Sequence, residues 1–250
     1  MRAKSIGWLL SLCMAYSPVL LADKLTDLKQ RAELGDAIAQ TDLGSKYALG
    51  SGVEKDYLQA QKWFKSAADH GNPLAQYNLG LMYAHGEGVE IDLKQAAQWF
   101  LKAAERGDVP AQFNLGLMYA NGEGVTRHYD EAYKWFLKAA EQGHAIAQVD
   151  LGLMYLGGQG ITKNLAEAVK WFMQSAEQGN MMAQHHLGLS YLEGEGVSKD
   201  EQEAYVWFAQ AAAQGDDLAQ GFLNKLETEL TPTQIADAQK RAALWHPVLH

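Results

Sequence analysis

Apolar and polar positions along the chain follow a helical rhythm that restarts at fixed intervals. In residues 73–86, PLAQYNLGLMYAHG, the side chains of Ala75, Leu79, Met82 and Tyr83 fall on one side at helical spacing. Pro73 suits the first turn, where a missing N–H costs nothing. Gly86 and Gly88 end the segment with residues that tolerate left-handed backbone, and Val89 tucks the loop back down. Residues 92–107, DLKQAAQWFLKAAERG, predict a second helix with Asp92 as its N-cap, Ala96, Trp99, Phe100 and Ala103 as its apolar face, and Gly107 as its stop. The two helices are called A and B below.

The pair repeats with a period of 36 residues. The glycine of LGLMY recurs as Gly44, Gly80, Gly116, Gly152 and Gly188. A Trp-Phe pair recurs from Trp63-Phe64 to Trp207-Phe208, and an Ala-Gln pair from Ala39-Gln40 to Ala219-Gln220. Glycine in mid-helix costs about 1 kcal/mol against alanine, so its return in every unit predicts two helices too close for a β-carbon. Trp99, on the facing helix, is the expected partner of the notch at Gly80. Helix pairs this short cannot bury their own apolar stripe, so each must stack on the next.

The string A-x-A-Q-x-x-L-G-x-x-Y, then G-x-G-V, then A-x-x-W-F-x-x-A-A-x-x-G, resembles the Sel-one-like repeat family, a relative of the tetratricopeptide repeats, over roughly residues 36–226. The resemblance implies an all-α fold, a right-handed superhelical solenoid of antiparallel helix pairs whose A helices line a concave groove. It also implies adaptor, scaffold or host-interaction roles, often in a bacterial envelope. One subgroup of the family bridges each helix pair by a disulfide. This chain departs from it, because its one cysteine, Cys13, lies ahead of the repeats.

Five units are expected at about 36–71, 72–107, 108–143, 144–179 and 180–215, with a partial sixth to residue 226. Residues 23–35 read as a capping B-type helix without its Trp-Phe. Residues 227–250 read as a C-terminal cap and tail, in which Thr231-Pro232-Thr233-Gln234 opens a helix with a capping box. Ile235, Ala238, Ala242 and Trp245 mark one face of that helix, and Pro247 ends it. Residues 1–22 differ from the rest: Arg2 and Lys4 precede a short apolar run, Ile6 to Tyr16, and Ser17-Pro18 breaks it before Leu20-Leu21-Ala22. That pattern predicts a signal peptide cleaved after Ala22 and an exported protein, periplasmic or secreted, with no integral membrane segment after cleavage. An uncleaved anchor is the alternative.

Composition narrows the chemistry. With 48% apolar and 20% charged residues the chain is of ordinary globular type. Its formal net charge of −9, without basic blocks, is a poor match to nucleic acid, whose binding rests on phosphate contacts. Removal of Arg2 and Lys4 makes it more negative still. Cleavage would also remove Cys13, and with it any thiolate nucleophile, disulfide or thiolate metal site. The Gly-x-Gly pairs sit between two helices without a preceding strand, which does not match a phosphate loop. Glu87, Glu123 and Glu195 in those loops read as a solvated acidic edge rather than a calcium site. No Ser, His and Asp grouping recurs in a usable order, and the Trp-Phe pairs read as core. No cofactor, metal or catalytic residue is expected.

A partner-binding surface is expected where helix A side chains leave the core. Counting from Leu79 and Tyr83, these are Tyr77, Asn78, Leu81 and His85, then Phe113, Asn114, Leu117 and Asn121. The next units contribute Val149, Asp150, Leu153 and Leu156, then His185, His186, Leu189 and Glu193. Core positions barely change between units while these vary, as a surface free to specialise would, or an idle one. Asn78 and Asn114 carry both a donor and an acceptor, suited to an extended peptide backbone. Leu81, Leu117, Leu153 and Leu189 form either an apolar floor for a ligand or packing against the next unit. His185 and His186 point about 100° apart, a poor arrangement for sharing one metal. The expected function is a non-enzymatic exported scaffold for a protein or peptide. A cell-wall-directed hydrolase or a glycan-binding module is the alternative.

Overall fold

A computed structural model describes residues 18–247, with side chains described from Asp23 onward. The predicted export segment lies outside the described residues as far as residue 17, and its end, from Pro18, forms the first turn of a helix. Among the described residues there are thirteen α-helices and no strand. None is long and apolar enough to cross a membrane. The chain divides into two compact units at residues 108 and 109.

The first unit holds α1 (Pro18–Glu33), α2 (Ala37–Leu49), α3 (Tyr57–Asp69), α4 (Pro73–His85) and α5 (Leu93–Glu105). The second holds α6 (Val109–Asn121), α7 (Tyr129–Glu141), α8 (Ala145–Gly157), α9 (Leu165–Glu177), α10 (Met181–Glu193), α11 (Glu201–Ala213), α12 (Asp217–Glu229) and α13 (Pro232–Leu244). Within each unit the helices pack on their neighbours in chain order, and α13 folds back onto α11.

The caps explain why the helices begin and end where they do. Asn72 accepts from the Ala75 N–H at the start of α4, with Pro73 in the first turn. Asp92 accepts from the N–H groups of Lys94 and Gln95 at the start of α5. Gly86 takes φ 73° at the end of α4, and its N–H donates to Met82. The loop then closes when the Asp92 N–H donates to the Tyr83 carbonyl at 2.9 Å, a bond that returns at Asp56, His128, Asn164 and Asp200. A β-carbon on Gly88 would lie 2.6 Å from that of Tyr57, so this loop seats on the start of α3. Thr231 and Gln234 form the capping box of α13, which ends at Leu244, ahead of Pro247. A residue before proline is disfavoured in helical backbone, so the helix stops short of His246.

The glycine notch is occupied by phenylalanine, not by the expected tryptophan. A β-carbon on Gly80 would lie 2.5 Å from Phe100 ring carbons, and one on Gly188 equally close to Phe208. Gly44 faces Phe64, Gly116 faces Phe136 and Gly152 faces Phe172 in the same way. Consecutive helical residues point about 100° apart, so Phe aims into its own pair and Trp aims elsewhere. Trp99 joins the core of α3 and α4, Trp207 joins that of α9 and α10, and Trp63 packs against α1 and α2. Phenylalanine therefore closes each pair, and within each unit Trp63, Trp99, Trp171 and Trp207 pack on the helices that precede their own pair.

A second ladder is polar. The buried glutamines Gln40, Gln76, Gln148 and Gln184 each donate through Nε2 to a carbonyl eight residues earlier. In the second unit, Gln142, Gln178 and Gln214 at the ends of the B helices donate to the Oε1 of Gln112, Gln148 and Gln184 at 2.7–2.8 Å. In the first unit those positions hold His70 and Arg106, and the buried Oε1 atoms of Gln40 and Gln76 have no partner among the described residues.

Three outcomes follow for urea unfolding. Gly188→Ala forces its methyl into Phe208 and should cost about 1–3 kcal/mol. Gly221→Ala, in α12 with nothing within 4 Å, should instead gain about 0.5–1 kcal/mol. Arg106→Gln restores the missing donor to Gln76 and should stabilise the first unit by about 1 kcal/mol.

Candidate functional site

The outward positions of the A helices differ in how far they are open. In the first unit, Tyr77 is half-buried and its ring lies 5.7 Å from that of Phe100. Asn78 is half-buried and donates to the Leu74 carbonyl of its own helix at 2.8 Å. Leu81 is half-buried and His85 is exposed.

In the second unit, Phe113 packs on Phe136 at 5.9 Å and stacks on His144 at 4.5 Å. His144 is also the N-cap of α8, where its Nδ1 accepts from the Ala147 N–H. Burial lowers the His144 pKa, which favours the neutral ring this cap requires. Asn114 is half-buried, and Asn121 is exposed, with its Nδ2 donating to Glu123. Val149, expected on the surface, is only 2% exposed and belongs to the core with Phe172 and Leu187. The β-branched side chain has no length to reach past its neighbours, so it leaves the set of contact residues.

Leu117, Leu153, Leu156 and Leu189 are all partly buried against core clusters. Packing thus claims one side of each, and the rest of the side chain remains accessible. Glu193 is exposed.

The two histidines serve different neighbours. His185 Nδ1 lies 2.6 Å from the Asp216 carboxylate, with both side chains about 85% covered (15% and 13% exposed). Burial opposes ionisation of Asp216, but hydrogen bonds from the Ala219 N–H and from His185 hold its carboxyl below the ordinary value. His186 stacks on Phe172 at 4.8 Å, and burial, then the neighbouring His185, lowers its pKa. Asp216 and Phe172 escape a reading of the sequence because they lie on other helices. The periodic cap position does give a signal for Asp216, which is the N-cap of α12. Among the described residues no group of three or more His, Cys, Asp or Glu side chains converges.

Asn114, Asp150 and His186 occupy one register position on α6, α8 and α10. Asp150 is the unusual member. It is half-buried, hydrogen-bonds to no group among the described residues, and burial pushes its pKa up to about 6. A carboxylate left in that state is available to a cation from outside the chain.

Comparison with known proteins agrees with this architecture. The Sel1 repeat model matches residues 37–72, 73–108, 109–144, 145–180 and 182–216. A protective antigen of uropathogenic Escherichia coli with an SLR fold is 38% identical, with a TM-score of 0.82 over 89% of this chain and 49% of its own. A Sel1 repeat protein from Oxalobacter formigenes is 34% identical, with a TM-score of 0.73 over 90% of this chain and 94% of its own. The secretory immunoglobulin A-binding protein EsiB of Escherichia coli O6:H1 is 46% identical over 50 residues, 20% of this chain and 10% of that protein. The chain therefore spans about half the length of the antigen and a tenth of EsiB.

The raised pKa of Asp150 makes stability pH-dependent. A carboxyl that holds its proton more tightly when folded favours folding at low pH, and that contribution disappears as pH rises through about 6. Asp150→Asn, neutral throughout, should match wild type near pH 4 and exceed it by about 1–2 kcal/mol above pH 7. Urea unfolding at the two pH values checks this.

Proposed function

Because the chain belongs to the Sel1 repeat family, whose members are typically non-catalytic protein-interaction scaffolds, we propose that it holds a protein or peptide partner on the outward faces of its A helices. The observation that carries this reading is Asp150. Burying a carboxylate without a partner is costly, and a cationic group on a bound chain would offset that cost. Asn114 and His186, in the same register, add hydrogen-bonding groups on either side in the chain order of the helices. The half-exposed leucines supply apolar contact beside them.

The partner meets the scaffold after export. Arg2, Lys4, the apolar run from Ile6 to Tyr16 and the small Ala22 support a cleaved leader, and with it a periplasmic or secreted location. The names of two relatives fit a role at the bacterial surface, one as a protective antigen and one as a binder of secretory immunoglobulin A. The formal net charge of −9 is a poor match to nucleic acid, whose binding rests on phosphate contacts.

Crosslinking capture from cell-envelope extracts, comparing wild type with Asp150→Asn, tests the reading. Tyr77 and Phe113 are unsuitable for truncation, because both rings pack on core phenylalanines. The variant should stay helical by circular dichroism and lose most of the captured partner. Equal capture by both proteins moves the site away from the A-helix face, and turnover of a cell-wall glycan by the purified protein replaces the scaffold reading with an enzyme.

A further inference from the structure

The repeats contain their own comparison for a cleft in the first unit. In the second unit, α7 carries Tyr133, whose hydroxyl lies 2.9 Å from that of Tyr155 on α8, with the two rings edge to face at 5.9 Å. The same position on α11 holds Tyr205, which donates to Glu227. Two repeats before Tyr133 the residue is Gln61 on α3, while the counterpart of Tyr155 is again a tyrosine, Tyr83. Replacing a phenol by a glutamine leaves space, and a cleft of about 290 Å³ opens there.

The walls and mouth of this cleft are chemically distinct. Leu79, Tyr83 and the indole of Trp99 form the wall, and Leu58, 66% exposed, lies at the edge. Among the described residues the Tyr83 hydroxyl has no hydrogen-bond partner, whereas Tyr155 has Tyr133. Lys62 and Lys65 stand at the mouth. Lys65 pairs with Asp69 at 2.7 Å and also lies 4.8 Å from the Trp99 ring centre, with Lys102 3.8 Å from the same ring. Lys62 pairs with no carboxylate among the described residues and rests over Trp63. In a chain of net charge −9, this is a local concentration of positive charge around an aromatic slot.

We propose that the cleft between α3 and α5 receives one tyrosine side chain of a partner protein, with an adjacent Asp or Glu of that partner meeting Lys62. The incoming phenol takes the place that Tyr133 fills in the second unit and gives the Tyr83 hydroxyl the same edge-to-face neighbour and hydrogen bond. The volume falls just below the roughly 300–1,000 Å³ of small-molecule pockets, which suits a single anchoring side chain. Tyrosine is also among the residues that dominate protein interfaces when seated in such slots. The site lies between α3 and α5 over the core-side residues Leu79 and Tyr83 of α4 and uses none of the outward A-helix positions, so it is independent of the reading above.

The probe is acetyl-Asp-Tyr-amide, titrated into the full chain while the indole N–H resonance of Trp99 is followed by nuclear magnetic resonance. A saturable shift is expected. Acetyl-Asn-Tyr-amide should bind roughly three- to fivefold more weakly, the scale of one partly exposed ion pair, and acetyl-Asp-Ala-amide should give no shift. Gln61→Tyr, which rebuilds the arrangement of the second unit, should abolish binding without lowering the melting temperature. If that variant loses its circular dichroism, Gln61→Phe fills the same space. Lys62→Gln should erase the difference between the Asp and Asn probes. Undiminished binding by a folded Gln61 variant, or no saturable shift in wild type, overturns the site. Tighter binding of free 4-hydroxyphenylacetate than of the dipeptide overturns the protein side chain as occupant in favour of a small phenolic acid.

Discussion

The rest of the structure depends on a contact that leaves no room for a methyl group. In every full repeat a glycine of helix A receives the edge of a phenylalanine of helix B, close enough that any β-carbon would overlap the ring. This contact sets how near the two helices lie, and hence which face of each remains for the neighbouring pair. The mid-helix glycine is locally unfavourable. Burial of a full aromatic ring within the pair outweighs that penalty, since such burial is worth about 1.5–3 kcal/mol. With the phenylalanine committed inward, the adjacent tryptophan packs, within each unit, on the helices that precede its pair. One pair of adjacent residues thereby encodes both the pair and the stack.

This explains how much was legible in the sequence. Helix limits, the caps at Asp92 and Thr231, and the glycine notch follow from residue types whose local physics leaves few options. The identity of the notch's occupant did not follow, because Trp99 and Phe100 both lie on an apolar face, and the angle between them matters only once the partner helix is placed. The outward surface was legible in position but not in depth. Asp150 and Val149 are adjacent and both were expected to be open, yet one is a half-buried carboxylate and the other is core. The cleft at Gln61 was illegible for another reason. Its chief feature is a tyrosine that is not there, visible only by laying one repeat over another in space.

The same comparison separates the two units in their polar interior. The second unit supplies a donor from each B-helix end to the glutamine of the helix A in its own pair, so that in Gln148 and Gln184 the amide carbonyl and the amide N–H₂ are both engaged. The first unit keeps the glutamine and loses the donor, leaving Gln40 and Gln76 with a buried acceptor unmatched. A buried polar group without its partner costs about 1–3 kcal/mol. The first unit also contains the open cleft, a further loss of packing relative to its counterpart.

Both departures point the same way. A repeat array has a ready source of well-packed solutions, since each unit can copy its neighbour. Where one unit declines a hydrogen bond and a ring that the other possesses, it is less stable than the frame permits. Proteins commonly tolerate that cost where a surface has to accept something from outside. Asp150 in the second unit is the electrostatic version of the same exchange, a carboxylate held where burial raises its pKa to about 6 for want of a cation. The constant positions of the repeat thus account for the fold. The positions where one repeat fails to match the next mark where the fold is incomplete alone.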